Sequence, residues 1–67
     1  MTTGTVKWFN ETKGYGFIQP DEGGKDVFVH ITEVQKAGLK GLDDNQRVQF
    51  HMAESRGKMA ASDLKLL

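Results

Sequence analysis

The chain has 67 residues, with nine basic and nine acidic side chains, so its formal net charge is zero; this argues against a basic tail that binds any polyanion. Such a length predicts one domain over residues 1–67 with a small core, and it leaves little room for an enzyme with a deep pocket. There is no cysteine for disulfides or thiolate metal sites. No apolar run approaches the roughly 20 residues of a membrane span, and the N-terminus lacks a signal-peptide segment. We therefore expect a cytoplasmic protein.

Short segments with strand character dominate the chain, separated by Gly, Asp and Asn residues that are typical of turns. We predict strands over residues 4–10, 15–19, 26–31, 47–54 and 58–66. In the fourth segment Val48, Phe50 and Met52 alternate with polar residues, so these three side chains should share one face. The fifth segment is weaker, and we expect Leu64 and Leu66 to anchor it.

Residues 32–46 form one longer connection without a clear period. A helical turn is predicted at Thr32, Glu33 and Val34, whereas Gly38 and Gly41 argue against a long helix. Short strands with one long connection favour a closed barrel, because closure removes the exposed edges that an open sheet would leave. The predicted fold is all-β: a five-stranded antiparallel Greek-key barrel of the OB-fold type.

Aromatic residues are concentrated in the first half of the chain, with five of the six between positions 8 and 28. Because strand side chains alternate between two faces, Tyr15 and Phe17 share a face, as do Phe28 and His30. The aliphatic residues on the opposite faces form the expected core: Ile18, Val27, Val29 and Ile31. The rings are then left together on the surface, which is unfavourable unless a partner covers them.

Nucleic-acid bases are flat partners that suit such a surface, because stacking on an aromatic ring contributes about 1–3 kcal/mol per base whatever the sequence. With zero net charge, stacking should provide most of the affinity, and the salt dependence should be shallow. We expect a site of about six or seven nucleotides. Four basic residues are candidates to contact phosphates: Lys7, Lys13, Arg56 and Lys58.

Three segments of the chain resemble the cold-shock domain family. Residues 13–18 (KGYGFI) look like its first ribonucleoprotein motif, residues 27–31 (VFVHI) look like the second, and residues 4–10 (GTVKWFN) are equally characteristic. The resemblance covers essentially the whole chain. It implies a bacterial cold-shock protein that binds single-stranded RNA and DNA and acts as an RNA chaperone or transcription antiterminator in the cold-shock response. The site that it implies comprises Lys7, Trp8, Phe9, Lys13, Tyr15, Phe17, Asp26, Phe28, His30, Arg56 and Lys58.

The sequence also departs from the family pattern. Ile31 and Leu39 stand where aromatic residues are usual, so the stacking surface should be shorter at one end and the affinity lower by about tenfold or more. Tyr15 stands where Phe is commoner. The last two strands and the loop that carries Arg56 match the family less closely, at Met52, Ser55 and Met59.

Several residues have an alternative interpretation. The alternation breaks around Trp8, so the residue pattern leaves its ring either in the core or on the surface, and the family pattern puts it on the binding face. His30 has two possible roles, base stacking or a structural one. Asp26 also has two: it accepts a hydrogen bond from a base edge, or it caps the hairpin. His51 is expected to face solvent, and two histidines without cysteine or clustered carboxylates do not make a metal site.

Other functions stay open at this point. One alternative is a barrel that docks a peptide or a subunit on its rings, although the flanking lysines favour nucleic acid. A reader of duplex DNA is disfavoured by the zero net charge and the lack of a recognition helix. We expect no catalysis, cofactor, small-molecule substrate or ATP-binding loop. We expect a monomer, with a dimer swapped through residues 32–46 as the alternative.

Overall fold

The computed structural model describes residues 2–55 and 57–67. Within these residues the chain forms five strands and one short helix: β1 Thr2–Asn10, β2 Tyr15–Pro20, β3 Val27–His30, α1 Ile31–Lys36, β4 Arg47–Ser55 and β5 Lys58–Leu66. The strands close into a barrel in the order β1-β2-β3-β5-β4. The predicted all-β barrel of the OB-fold type is confirmed, and so is the helical turn after the third strand. No helix in the described part of the chain is long and apolar enough to cross a membrane.

Strand pairing in the barrel is mostly antiparallel. β1 pairs antiparallel with both β2 and β4, β2 with β3, and β4 with β5. β3 and β5 instead run parallel where Phe28 meets Ala60, so the prediction of an antiparallel barrel does not hold at this one seam. The parallel seam arises because the connection over residues 31–46 carries the chain across the barrel, so that β4 starts beside β1 and β5 returns to close against β3.

The core consists of aliphatic side chains from the inner strand faces, packed around one aromatic ring. Phe50 is the largest fully buried side chain, Val48 on the same strand is also fully buried, and Met52 packs against the cluster from its edge. The alternation predicted along the fourth strand is therefore confirmed. Buried residues of β2 and β3 that the sequence predicted are Ile18, Val27 and Val29.

Ile31, the fourth aliphatic residue assigned to the core, does not lie there, so that prediction was wrong. The strand ends at His30, and Ile31 begins α1 with its side chain partly buried. It packs over Gly14, where a Cβ would lie 3.2 Å from Ile31 Cγ2. Gly14 also has a φ of 81°, a left-handed conformation that favours glycine.

A bulge in the hairpin of β4 and β5 sets which residues of β5 reach the core. Asp63 and Leu64 lie together opposite Phe50, and Asp63 has a left-handed φ of 51°. Leu64 is buried as predicted, but Leu66 is 47% exposed because it is the last residue of the strand, so its assignment as an anchor was wrong. Ala61 is the other buried residue of β5.

An ion pair outside the barrel joins three parts of the fold. Arg47 on β4 donates two hydrogen bonds to the carboxylate of Asp21, with Nη1–Oδ1 2.5 Å and Nη2–Oδ2 2.7 Å. Thr3 on β1 donates a third bond from Oγ1, at 2.6 Å. These bonds, that from Arg47 above all, lower the pKa of Asp21 to about 2 because they favour the charged carboxylate. The loop after β2 is thereby tied to β1 and β4.

We expect Asp21→Asn to lower the melting temperature by a few degrees near neutral pH and to remove part of the acid sensitivity. The pKa of Asp21 is lower in the folded chain than its ordinary value of 3.8, so its stabilisation is present above that value and lost as the pH falls toward 2. The effect should stay modest because the pair is exposed. Thermal unfolding followed by circular dichroism at several acidic pH values checks this. Melting curves of variant and parent that shift in parallel with pH would contradict it.

Candidate nucleic-acid interface

The outer face of the barrel carries a continuous cluster of rings from β1, β2 and β3, which we call the aromatic platform: Trp8, Tyr15, Phe17, Phe28 and His30. Ring centroids are 5.4 Å apart for Trp8 and Phe17, 5.9 Å for Phe17 and Phe28, and 6.3 Å for Phe28 and His30. Tyr15 lies 5.7 Å from Trp8 and stacks on Phe28 at 5.8 Å. The outward placement that the alternation predicted for the rings of β2 and β3 is confirmed.

Strand register brings these rings together. Phe17 pairs with Phe28 and Tyr15 with His30 across β2 and β3, so all four side chains emerge on one face. Gly16, between the two rings of β2, points inward, where a Cβ would lie 2.8 Å from the Cα of the residue opposite on β1. A side chain at position 16 would therefore push β1 away and separate the strands that hold the rings.

Trp8 joins the platform through a bulge in β1. The register with β2 shifts between Val6 and Trp8, so Lys7 is an extra residue and Trp8 lies opposite Phe17. Trp8 is 41% exposed, which settles the open choice between core and surface. Phe9, also proposed for the site, packs partly buried against the core, and the structure does not bring it into the platform.

His30 has both positions that the sequence left open. Its ring lies next to Phe28 in the platform, and its Nδ1 accepts a hydrogen bond from the Thr32 N–H at 3.2 Å, capping α1. Because Nδ1 accepts this bond, the proton of the neutral ring is on Nε2. The cap fixes the ring while the side chain stays exposed, so both roles are compatible.

Charged residues of both signs border the platform. Lys7 donates from Nζ to Asp26 Oδ2 at 3.1 Å, so these two candidate residues form an ion pair with each other. Lys58 lines a cleft beside the platform, and Lys13 is exposed in the turn before β2. Arg56, the remaining basic candidate, lies outside the described residues.

The platform ends at His30 on the side of α1. Ile31 is partly buried over the turn before β2, and Leu39 packs partly buried against the core. Neither side chain is a ring that could take a further base in line with Phe28 and His30. The expected shortening of the stacking surface at this end therefore has a structural basis.

At the opposite side, the cleft beside the platform contains residues that the sequence analysis did not assign to the site. Lys25, Glu54 and Met59 line it together with Phe17 and Phe28. Lys25 and Met59 are chain neighbours of two predicted site residues, which is a weak signal. Glu54 lies in the cleft because β4 pairs with β5, and the sequence pattern does not specify this pairing.

A small closed barrel that presents neighbouring rings on three strands, with lysines at their border, belongs to the class of nucleic-acid-binding barrels. Residues 2–67 match the family model described as the 'Cold-shock' DNA-binding domain. The chain is 57% identical to a probable cold shock protein of Sinorhizobium fredii, over 97% of each chain. It is 51% identical to a cold shock-like protein of Bordetella pertussis, over the full length of both. The chain thus belongs to the cold-shock domain family, whose members bind nucleic acid.

Proposed function

We propose that the protein binds single-stranded RNA and DNA, with little sequence preference overall, by stacking bases on the aromatic platform. Four charged residues around the rings are candidates to contact the bound strand: Lys7, Lys13, Asp26 and Lys58. Through this binding the protein acts in the cytoplasm as an RNA chaperone and transcription antiterminator in the cold-shock response. It catalyses no reaction. The observation that carries the proposal is the row of outward-facing rings, each within 5.4 to 6.3 Å of the next.

The spacing of the rings favours a single strand over a duplex. Bases stacked on one another in B-form DNA are about 3.4 Å apart along each strand. The centroids of Trp8, Phe17, Phe28 and His30 are separated by 5.4, 5.9 and 6.3 Å, so one base on each ring requires neighbouring bases to unstack. A single strand can extend in this way, whereas a duplex would first have to lose its base pairs.

Charge supports stacking as the main source of affinity. The formal net charge is zero, and the ammonium group of Lys7 is already paired with Asp26. The Asp26 carboxylate offsets the charge of Lys7, which reduces the number of counterions that phosphate contacts would release on binding. The affinity should fall only slightly when the salt concentration rises.

The proposed mechanism is passive. The rings bind bases that thermal fraying has already exposed, and binding shifts the equilibrium of the nucleic acid toward its open form. The size of this shift follows the ratio of protein concentration to Kd, so no energy source is needed. Moderate affinity keeps the binding reversible, and transcripts stay available to the ribosome.

A competition experiment tests the proposal. We expect a fluorescently labelled pyrimidine heptanucleotide to bind with a rise in anisotropy, and the matching unlabelled duplex to compete poorly. Added protein should also lower the melting temperature of a short RNA hairpin. Equal competition by duplex and single strand would contradict the proposal. If neither nucleic acid binds, the platform becomes a candidate protein-docking surface.

A further inference from the structure

A cleft of about 470 Å³ lies between the aromatic platform and the end of the β4–β5 hairpin. Phe17 and Phe28 line one side, and Glu54, Lys58 and Met59 line the side of the hairpin. Its volume falls within the range of about 300–1,000 Å³ that small-ligand sites occupy. The cleft is thus large enough for a flat group the size of a nucleobase.

The hairpin forms one wall of this cleft because it extends past β3. The β4–β5 ladder continues from Ala53 and Ala60, where β5 meets Phe28, out to its last pair near the turn. Glu54 and Met59 are opposite each other in this extension, so they present their side chains on the same face. Met59 is 37% exposed, and Glu54 is exposed as well.

The chemistry of the cleft fits the edge of a base, which carries hydrogen-bond donors and acceptors side by side. Glu54 lines the cleft together with two lysines, Lys25 and Lys58. The phenyl rings and the Met59 thioether offer apolar walls for the face of a base. Glu54 can accept hydrogen bonds, and an ammonium group can donate one. The other acid of the cleft, Asp26, is already paired with Lys7.

Among the bases, guanine matches this set most fully. Its Watson–Crick edge carries two adjacent donors, N1–H and the N2 amino group, next to the acceptor O6. Cytosine and adenine offer a single amino donor on that edge, and thymine and uracil place carbonyl oxygens on both sides of their imino N–H. A carboxylate can therefore form a bidentate pair with guanine but not with the other four bases.

We propose that this cleft holds one guanine of the bound strand, with the Glu54 carboxylate accepting from N1–H and N2–H. The proposal rests on the function proposed above, since the rings must hold the strand beside the cleft. It makes Glu54 a residue that determines base preference at one position, within a site that otherwise stacks bases irrespective of their identity.

The test compares heptathymidine with seven heptamers that each carry one guanine, and then replaces the preferred guanine by inosine, which lacks the N2 amino group. We expect guanine at one position to raise the affinity about fivefold, at the lower end for a bidentate pair because the cleft is open to solvent. Inosine should lose part of this gain. In Glu54→Ala, which removes every side-chain hydrogen-bonding group at this position, the ratio of guanine to thymine affinity should fall to about one. Glu22→Ala, the same change on an exposed residue that does not line the cleft, should keep the ratio.

Two results would overturn the proposal and can be told apart. If heptathymidine binds but guanine raises the affinity at no position, or if Glu54→Ala keeps the ratio, the cleft proposal fails and the platform proposal stands. If no single strand binds, both proposals fail together. Circular dichroism of each variant shows whether the barrel is folded, and the ratio within one variant cancels any general change in affinity.

Discussion

Replacement of Phe28 by alanine is expected to weaken the binding of a pyrimidine heptanucleotide about tenfold to a hundredfold while the barrel stays folded. Phe28 touches Tyr15, Phe17 and His30 at centroid distances of 5.8, 5.9 and 6.3 Å, so it lies at the centre of the platform. Loss of one stacking ring costs about 1–3 kcal/mol. The ring contributes less to folding, because it is on the outer face and only partly buried. Phe17→Ala should behave in the same way.

Anisotropy titrations of both variants measure the loss of affinity, and thermal unfolding by circular dichroism measures the stability of the barrel. His51→Ala is a suitable control, because it also removes an exposed ring from a strand but lies outside the platform. We expect this variant to bind like the parent. Unfolding of Phe28→Ala or Phe17→Ala would instead show that these rings belong to the core.

Replacement of Phe50 by alanine should instead act on folding, and we expect it to lower the free energy of unfolding by about 3–5 kcal/mol. Phe50 is 0% exposed and is the largest fully buried side chain. Truncation of a buried Phe to Ala costs about 3–5 kcal/mol. A domain of 67 residues has roughly 3–10 kcal/mol of stability in total. The substitution therefore removes a large part of the free energy of unfolding.

Urea denaturation gives the free energy of unfolding of Phe50→Ala directly, and its difference from the parent should be several times that of Phe28→Ala. A smaller loss in Phe50→Ala than in Phe28→Ala would contradict the assignment of inner and outer faces. The two variants carry the same chemical change on opposite faces, so each is the matched control for the other.

The outer and inner rings could be told apart from the sequence because strand side chains alternate regularly along β2, β3 and β4. Tyr15 and Phe17 are two residues apart, as are Val27 and Val29, so each pair falls on one face. The turns between the strands are also marked by local residues such as glycine. The barrel and four rings of the platform could therefore be predicted without long-range information.

Bulges are the places where the same reasoning gave no answer or a wrong one. In β1 the extra residue Lys7 reverses the alternation, which puts Trp8 outside and Phe9 inside. In β5 the bulge opposite Phe50 depends on the left-handed backbone of Asp63, and no residue pattern predicts this bulge. A bulge is fixed by the pairing of two strands, so one strand read alone does not reveal it.

The ion pairs and the cleft also could not be predicted from local sequence patterns. Lys7 and Asp26 are 19 residues apart, and Arg47 and Asp21 are 26 residues apart. Their contacts follow from the closure of the barrel, which depends on all strands together. The wall that Glu54 and Met59 form likewise depends on how far one hairpin extends past another strand.

Fluorescence of Trp8 tests the central claim most directly, because this is the sole tryptophan of the chain and it lies in the platform. Titration with a pyrimidine heptanucleotide at low and at high salt should quench the emission with nearly the same Kd, whereas the matching duplex should leave it unchanged. That result would support binding led by base stacking on this face. Absence of quenching by the single strand, or a Kd that rises steeply with salt, would contradict it.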